Sequence, residues 1–260
     1  MNMAQESESN PTHDARRRLA LRLLPLLDLT SLGEDDTPQQ IEALCASAQT
    51  AHGVPAAVCV YPEHITTADR ALRGCGVRIA TVVNFPDGSS NRERVLRETR
   101  RAIAAGANEI DLVLPSQLES AGDRVAAQQL VAACREICGS GIALKLILET
   151  GLLQTPERIR AACAIGLAAH VDFLKTSTGK VPVNATLEAS AVMLDAIAQA
   201  GGRCGIKLAG GIRELEQAAA YLDQAGAQFG ESWVTPEHFR IGASSLFAEI
   251  VAALAPESAR

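Results

Sequence analysis

Short runs rich in valine, isoleucine and leucine recur along the chain at intervals of about thirty residues, each followed by a stretch with helical periodicity. That rhythm predicts repeated βα units and a parallel sheet. Eight strands are expected, over Leu26–Thr30, Ala56–Val60, Arg78–Val83, Glu109–Leu114, Ala143–Glu149, Asp172–Thr176, Arg203–Ala209 and Arg240–Gly242. Helices are expected between them, among others over Arg92–Ala105, Ala126–Cys138, Glu188–Ala200 and Leu215–Asp223, with Gly106 and Gly139 placed to stop two of them. A doubly wound sheet of this length would carry a glycine fingerprint after its first strand, and LLDLTSLGEDDTP has none. The pattern therefore predicts an α/β chain folded as one (β/α)8 TIM barrel. In the same segment Thr37 and Pro38 read as an N-cap and first helical residue, which makes Asp35 and Asp36 loop or cap residues.

The expected division is a polar tail or first helix over residues 1–20, the barrel over 21–255 and a short tail over 256–260. The opening MNMAQESESNPTHDARRR lacks the apolar core of an export signal, and no apolar run reaches the roughly eighteen residues of a membrane span. A soluble, cytoplasmic protein is expected. Seven cysteines, an odd number scattered through apolar segments, fit a reducing compartment better than a disulfide framework. A net charge of -6, with no cationic cluster beyond Arg16 to Arg18, argues against a nucleic-acid partner. With aromatics at 3% there are few platforms for stacking bases, so the expected partner is a small molecule.

In a barrel of this kind the chemistry gathers where strands end and βα loops begin. Those ends offer Asp28 and Thr30, Cys59, Asn84, Asp111, Lys145 and Glu149, Lys175 and Thr176, Lys207, then Ser244 and Ser245. Lys175 closes an apolar run in VDFLKTSTGK, where an ammonium is costly to bury, and Lys207 repeats the arrangement in CGIKLAGGI. Two cations near one another are expected to lower each other's pKa, and a desolvated lysine beside a cation is one route to a neutral nucleophilic amine. Asp111 in NEIDLVLP is the expected acidic partner of Lys175, because even-numbered strands share side-chain layers. Lys145 in ALKLILET reads as structural or supporting, on one face with Glu149. Residue type alone does not rank Lys145, Lys175 and Lys207 as nucleophile. Cys59, with no histidine near it in sequence, reads as a lining residue.

Three glycine-rich corners follow the last three strands: STGK (Ser177 to Lys180), AGGI (Ala209 to Ile212) and GASS (Gly242 to Ser245). Barrels bind phosphate there, since glycine lets backbone N–H groups approach an anion and a helix starting after GASS aims its positive end inward. Lys180 adds a point charge; Arg213 reads as a solvated loop residue. No metal is expected. The five histidines fall away from the strand ends, and Cys134 and Cys138, at helical spacing, read as packing residues.

With these residues in view, DFLKTSTGKVPVNAT and GIKLAGGIR resemble the two lysine motifs of the deoxyribose-phosphate aldolases, a class I aldolase family with a (β/α)8 fold. LDLTSL, VCVYP, VVNFPDG, EIDLVLP, KLILETG and FRIGASSL line up with other segments of that family in order, so the resemblance runs from about Leu26 to Leu254. It implies that Lys175 forms a Schiff base, that Lys207 is the neighbouring cation and that Asp111 assists proton transfer through water. It implies that Asp28, Thr30, Cys59 and Thr176 line the site, and that Gly179, Lys180, Gly210, Gly211, Gly242, Ser244 and Ser245 hold a phosphate. The implied activity is reversible cleavage of 2-deoxy-D-ribose 5-phosphate to acetaldehyde and D-glyceraldehyde 3-phosphate, with no metal or organic cofactor, in a homodimer. The alternative is another Schiff-base sugar-phosphate aldolase on the same barrel. Leu208 stands where the family carries a proline, and the sequence closes on ESAR where some members close on a tyrosine, which implies slower turnover or a different proton donor.

Overall fold

Successive side chains of a strand point to opposite faces, so a strand with helices outside and an enclosed interior needs two alternating residue sets. Each strand of this chain carries them. The computed structural model describes residues 11–115 and 121–256, and in it β1 (Leu27–Thr30), β2 (Ala57–Val60), β3 (Arg78–Val83), β4 (Glu109–Val113), β5 (Ala143–Ile147), β6 (Phe173–Lys175), β7 (Gly205–Ala209) and β8 (Phe239–Ala243) close in sequence order into a parallel barrel. Leu27, Leu29, Val58, Val60, Ile110, Leu112, Leu144, Leu146, Leu174, Ile206, Leu208 and Ile241 belong to one continuous core with the surrounding helices. The intervening residues form the interior. On one side they are small and apolar, Ala57, Cys59, Ala80 and Val82 packing as a separate cluster. On the other they are charged: Asp28, Glu109, Asp111, Lys145, Lys175, Lys207 and Arg240 are all buried.

The expected strands are all present with their ends moved by no more than two residues, the usual uncertainty of element ends. The helices are α1 (Pro11–Leu23), α2 (Pro38–Ser47), α3 (Ile65–Ala71), α4 (Arg92–Ala104), α5 (Ala121–Cys138), α6 (Thr150–Leu153), α7 (Pro156–Ala168), α8 (Leu187–Gln199), α9 (Leu215–Phe229) and α10 (Ser245–Leu254). At the start of α2, Thr37 and Gln40 form a capping box, and Asp36 accepts hydrogen bonds from Ser31 Oγ at 2.8 Å and Gly33 N at 3.0 Å. Helix α1 covers part of the stretch expected as a polar tail; it packs on α10 and α9, with Arg16 ion-paired to Glu216 and, at 3.0 Å, to Glu249. The closing residues ESAR lie outside the described residues. Among the described residues no helix is long and apolar enough to cross a membrane.

Two glycines make room for neighbouring chain. A Cβ on Gly205 would lie 2.6 Å from the Phe173 ring and from the His238 carbonyl, so the glycine lets that ring fill the barrel interior. A Cβ on Gly151 would lie 2.0 Å from the carbonyl oxygen of Val183, where α6 meets the loop that follows β6. Backbone on both sides leaves nothing flexible to yield. Gly151→Ala is therefore expected to destabilise the protein by about 1–3 kcal/mol, read as a lowered thermal midpoint. An unchanged midpoint would show that the two segments separate at little cost.

Candidate active site

Barrel closure brings four cations and three carboxylates together inside the strands. Asp111, on β4, is at the centre: its Oδ2 accepts from Lys175 Nζ and from Lys207 Nζ, both at 2.7 Å, and its Oδ1 accepts from Lys145 Nζ at 2.9 Å. Asp28, on β1, accepts from Lys207 at 2.5 Å and from Arg240 Nη1 at 2.7 Å, with Lys145 Nζ at 3.5 Å. Glu109 accepts from Arg240 Nη2 at 3.1 Å and from Lys145. Parallel pairing sets the depths, with Asp111 opposite Lys145, Lys175 opposite Lys207, and Lys207 opposite Arg240. Gly242 leaves room for this: a Cβ there would come within 3.0 Å of Lys207 Cε.

The three lysines are not equivalent. Lys145 has three carboxylates within 4 Å and Lys207 has two, whereas Lys175 has Asp111 alone. Burial pushes every one of them toward the neutral form. For Lys175 burial wins: Asp111 opposes it and Lys207 reinforces it, and the pKa falls below the ordinary lysine value. For Lys207 burial acts the same way, but Asp111 and Asp28 outweigh it and the pKa rises. Lys145 is likewise raised, burial being overcome by Asp111, Glu109 and Asp28. The expected mutual lowering of Lys175 and Lys207 is thus corrected to a one-sided effect, because Lys207 owns a second carboxylate. Burial opposes ionisation of Asp28 and Asp111 too, yet the surrounding cations hold both below the usual carboxylate range. Lys175 is also the lysine nearest the opening, 3% exposed where Lys145 and Lys207 are sealed.

Around the opening the expected lining residues divide by what their side chains already do. Thr30 is half-buried, its hydroxyl donating to its own strand at Asp28 O, 2.8 Å away. The Cys59 thiol is fully buried and burial raises its pKa, which makes it an apolar wall beside the lysines. Thr176 Oγ1 donates to Ala209 O at 3.2 Å and accepts from Ala209 N at 3.0 Å, tying the end of β6 to the end of β7. Gly179, Gly210 and Gly211 have φ of +84°, +86° and +85°, a region that favours glycine, and a Cβ on Gly210 would strike Asn184 at 2.6 Å. Gly242 lies one residue before the end of β8, and Ser244 and Ser245 are exposed at the start of α10, so the expected helix is present. Lys180 Nζ reaches the Leu32 carbonyl at 2.8 Å in the loop after β1. All eleven expected lining and phosphate residues lie on β1, β2 or β8, on the loops after β6 and β7, or at the start of α10.

Glu149 departs from expectation. β5 ends at Ile147, so Glu149 leaves the alternation with φ +58° and accepts from Thr178 N and, at 2.6 Å, from Thr178 Oγ1. Lys145 pairs with Glu109 in its place. Neither Glu109 nor Arg240 is among the residues singled out from sequence, although period two supplies the signal: Glu109 stands two before Asp111, and Arg240 two before Gly242. Asn84 is also buried at a positive φ of 59°, its side chain bridging Ser89, Val113 and Arg94 and so bracing the end of β3. Among the described residues no group of histidine, cysteine, aspartate and glutamate side chains could hold a metal ion.

A parallel barrel that carries a buried lysine of lowered pKa at the carboxyl end of a strand, Lys175 closing β6, is the frame of an enzyme. The chain belongs to the DeoC/LacD family aldolases, whose family model matches residues 22–249, and it is a lyase. It is 29% identical, with a TM-score of 0.78, to a proposed deoxyribose-phosphate aldolase from Coccidioides immitis, over 90% of this chain and 85% of that one. It is 26% identical, with a TM-score of 0.76, to an aldolase called QR15, over 89% of this chain and 96% of that one. The tetrameric deoxyribose phosphate aldolase from Aeropyrum pernix shares the fold at 24% identity and a TM-score of 0.74, with 91% of each chain covered.

Proposed function

We propose that this aldolase cleaves 2-deoxy-D-ribose 5-phosphate reversibly to acetaldehyde and D-glyceraldehyde 3-phosphate through a Schiff base on Lys175. The observation that carries the reading is the inequality of the lysines: the amine nearest the opening is the one with a single carboxylate partner and a lowered pKa. A neutral amine there is a nucleophile without any activating metal. The likeness to the Coccidioides protein supports the substrate.

Lys175 attacks the C1 aldehyde of the open-chain sugar, and loss of water gives an iminium. The C2–C3 bond then breaks with its electron pair drawn toward the iminium, while the C3 hydroxyl gives up its proton. D-Glyceraldehyde 3-phosphate departs and an enamine of acetaldehyde remains on the lysine. Asp111, through a water, accepts the hydroxyl proton and returns it to the enamine carbon. Hydrolysis then frees acetaldehyde and the amine. Lys207, kept charged by two carboxylates, holds Asp111 ionised and keeps positive charge beside Lys175. Gly179, Lys180, Gly210, Gly211, Gly242, Ser244 and Ser245 bind the phosphate through backbone N–H groups, hydroxyls and the start of α10. The protein acts in the cytoplasm, in deoxynucleotide breakdown and as a homodimer; the seven free cysteines support a reducing compartment.

Borohydride added with 2-deoxy-D-ribose 5-phosphate is expected to leave a reduced adduct on Lys175, located by peptide mass mapping. An adduct on Lys145 or Lys207 overturns the assignment. Equal trapping and turnover with a ketose bisphosphate would favour the other aldolase chemistry.

A further inference from the structure

Arg240 has no part in the reaction as written, yet it is buried to 4% exposure at the base of the lysine cluster. Its guanidinium spans Asp28 and Glu109, its Nε donates to the Pro236 carbonyl, and it lies over the Phe173 ring at 5.3 Å from the centroid. We propose that Arg240 is a positioning residue that sets the protonation of the lysines: by occupying Asp28 and Glu109 with a permanent charge, it leaves too little carboxylate for all three ammonium groups, and the shortfall falls on Lys175. The inference rests on the proposed role of Lys175.

Charge must balance where all of these groups are buried. Three buried carboxylates, Asp28, Glu109 and Asp111, face Lys145, Lys175, Lys207 and Arg240. Arginine does not deprotonate in a protein, so any neutralisation must come from a lysine. An uncompensated buried cation is costly, and the group sheds its proton instead. The lysine with the fewest carboxylates gives way, which is Lys175. The groups facing Lys175 are Asp111 from β4, Lys207 from β7 and the neutral Cys59 thiol from β2, with Lys145 from β5 on the other oxygen of Asp111. Asp28 from β1, Glu109 from β4 and Arg240 from β8 form the next layer. Arg78 from β3 approaches Glu109 at 3.7 Å but is half exposed, so water screens its charge and it stands outside the buried balance.

The experiment measures the pH dependence of kcat/KM, and of borohydride trapping on Lys175, in the full-length enzyme and three variants. In Arg240→Met three carboxylates meet three lysines, so all three ammonium groups can be held and the acid limb moves up by about one unit or more, a loss of roughly tenfold per unit at any pH on the limb that is regained at higher pH. Arg240→Lys, which keeps the charge, returns the limb toward that of the parent. The double variant Arg240→Met with Glu109→Gln removes one charge of each sign, restores the excess, and moves the limb back down. A loss equal at all pH values, or a double variant no better placed than Arg240→Met, would show that Arg240 serves only to hold the barrel together. Trapping of the parent enzyme at a different lysine would instead defeat the reading of Lys175 and leave the charge balance to be assigned to that residue.

Discussion

Replacing Lys175 by methionine is expected to reduce carbon–carbon bond cleavage by about 10⁴-fold or more while leaving the barrel at least as stable as before. Loss of a covalent nucleophile leaves only what binding and electrostatics supply, which sets the scale of the fall. The stability side follows from the network. Lys175, as a neutral amine, contributes one hydrogen bond, to a carboxylate already shared with Lys145 and Lys207. Without it three carboxylates face Lys145, Lys207 and Arg240, and methionine fills much of the space of the lysine stem, so no buried charge is stranded. The checks are steady-state turnover, borohydride trapping and thermal unfolding on the same preparation. A Lys175→Met enzyme that keeps a few per cent of its activity would sink the Schiff-base assignment, whatever its melting point.

Asp111→Asn is expected to give the opposite combination: an unstable protein that still forms the adduct. Asp111 is the one carboxylate shared by all three lysines, and removing its charge leaves the cations Lys145, Lys207 and Arg240 against Asp28 and Glu109 alone. Breaking a buried pair from one side costs about 3–5 kcal/mol. The sign of its pH dependence follows from the lysines. With Asp111 neutral, the chief group opposing burial and Lys207 at Lys175 is gone, so the folded pKa drops further below the unfolded value of about 10.4. Between those two values the unfolded chain binds more protons than the folded one, so stability rises with pH across that window and the penalty shrinks toward alkaline conditions. Turnover, deprived of its proton relay, is expected to fall by roughly 10²–10⁴-fold. Trapping on Lys175 should persist and extend to lower pH, because the amine is neutral over a wider range. Denaturant unfolding at several pH values and trapping across the same series test both halves; an Asp111→Asn protein as stable as the parent at every pH would mean that the carboxylate does not hold the lysines together.

Much of the frame was legible before any coordinates. Each strand announced itself by an apolar run of the right length bounded by glycine, proline or a cap, and even the short last strand, which carries only Arg240, Ile241 and Gly242 as a signal, stands at residues 239–243. The family motifs pointed to Lys175, Lys207 and Asp111, and these do meet. One reading fails and one residue escapes notice, for different reasons. Glu149 was extrapolated along β5 by period two, but the strand stops at Ile147 and the backbone turns. Arg240 reads correctly as a strand residue, but its role does not show in the sequence because its partners lie on β1 and β4.

Alternation and spacing are properties of neighbours along the chain, and so the sequence by itself determined eight βα units, their order, and the fact that lysines 145, 175 and 207 must be buried. Which amine would be short of negative charge was decided only by tertiary structure. Coulomb energy depends on distance in space, and it is the closing of β8 onto β1 that sets Arg240 against Asp28 and, across the interior, Glu109, leaving Lys175 with a third of one carboxylate's attention and the others better supplied.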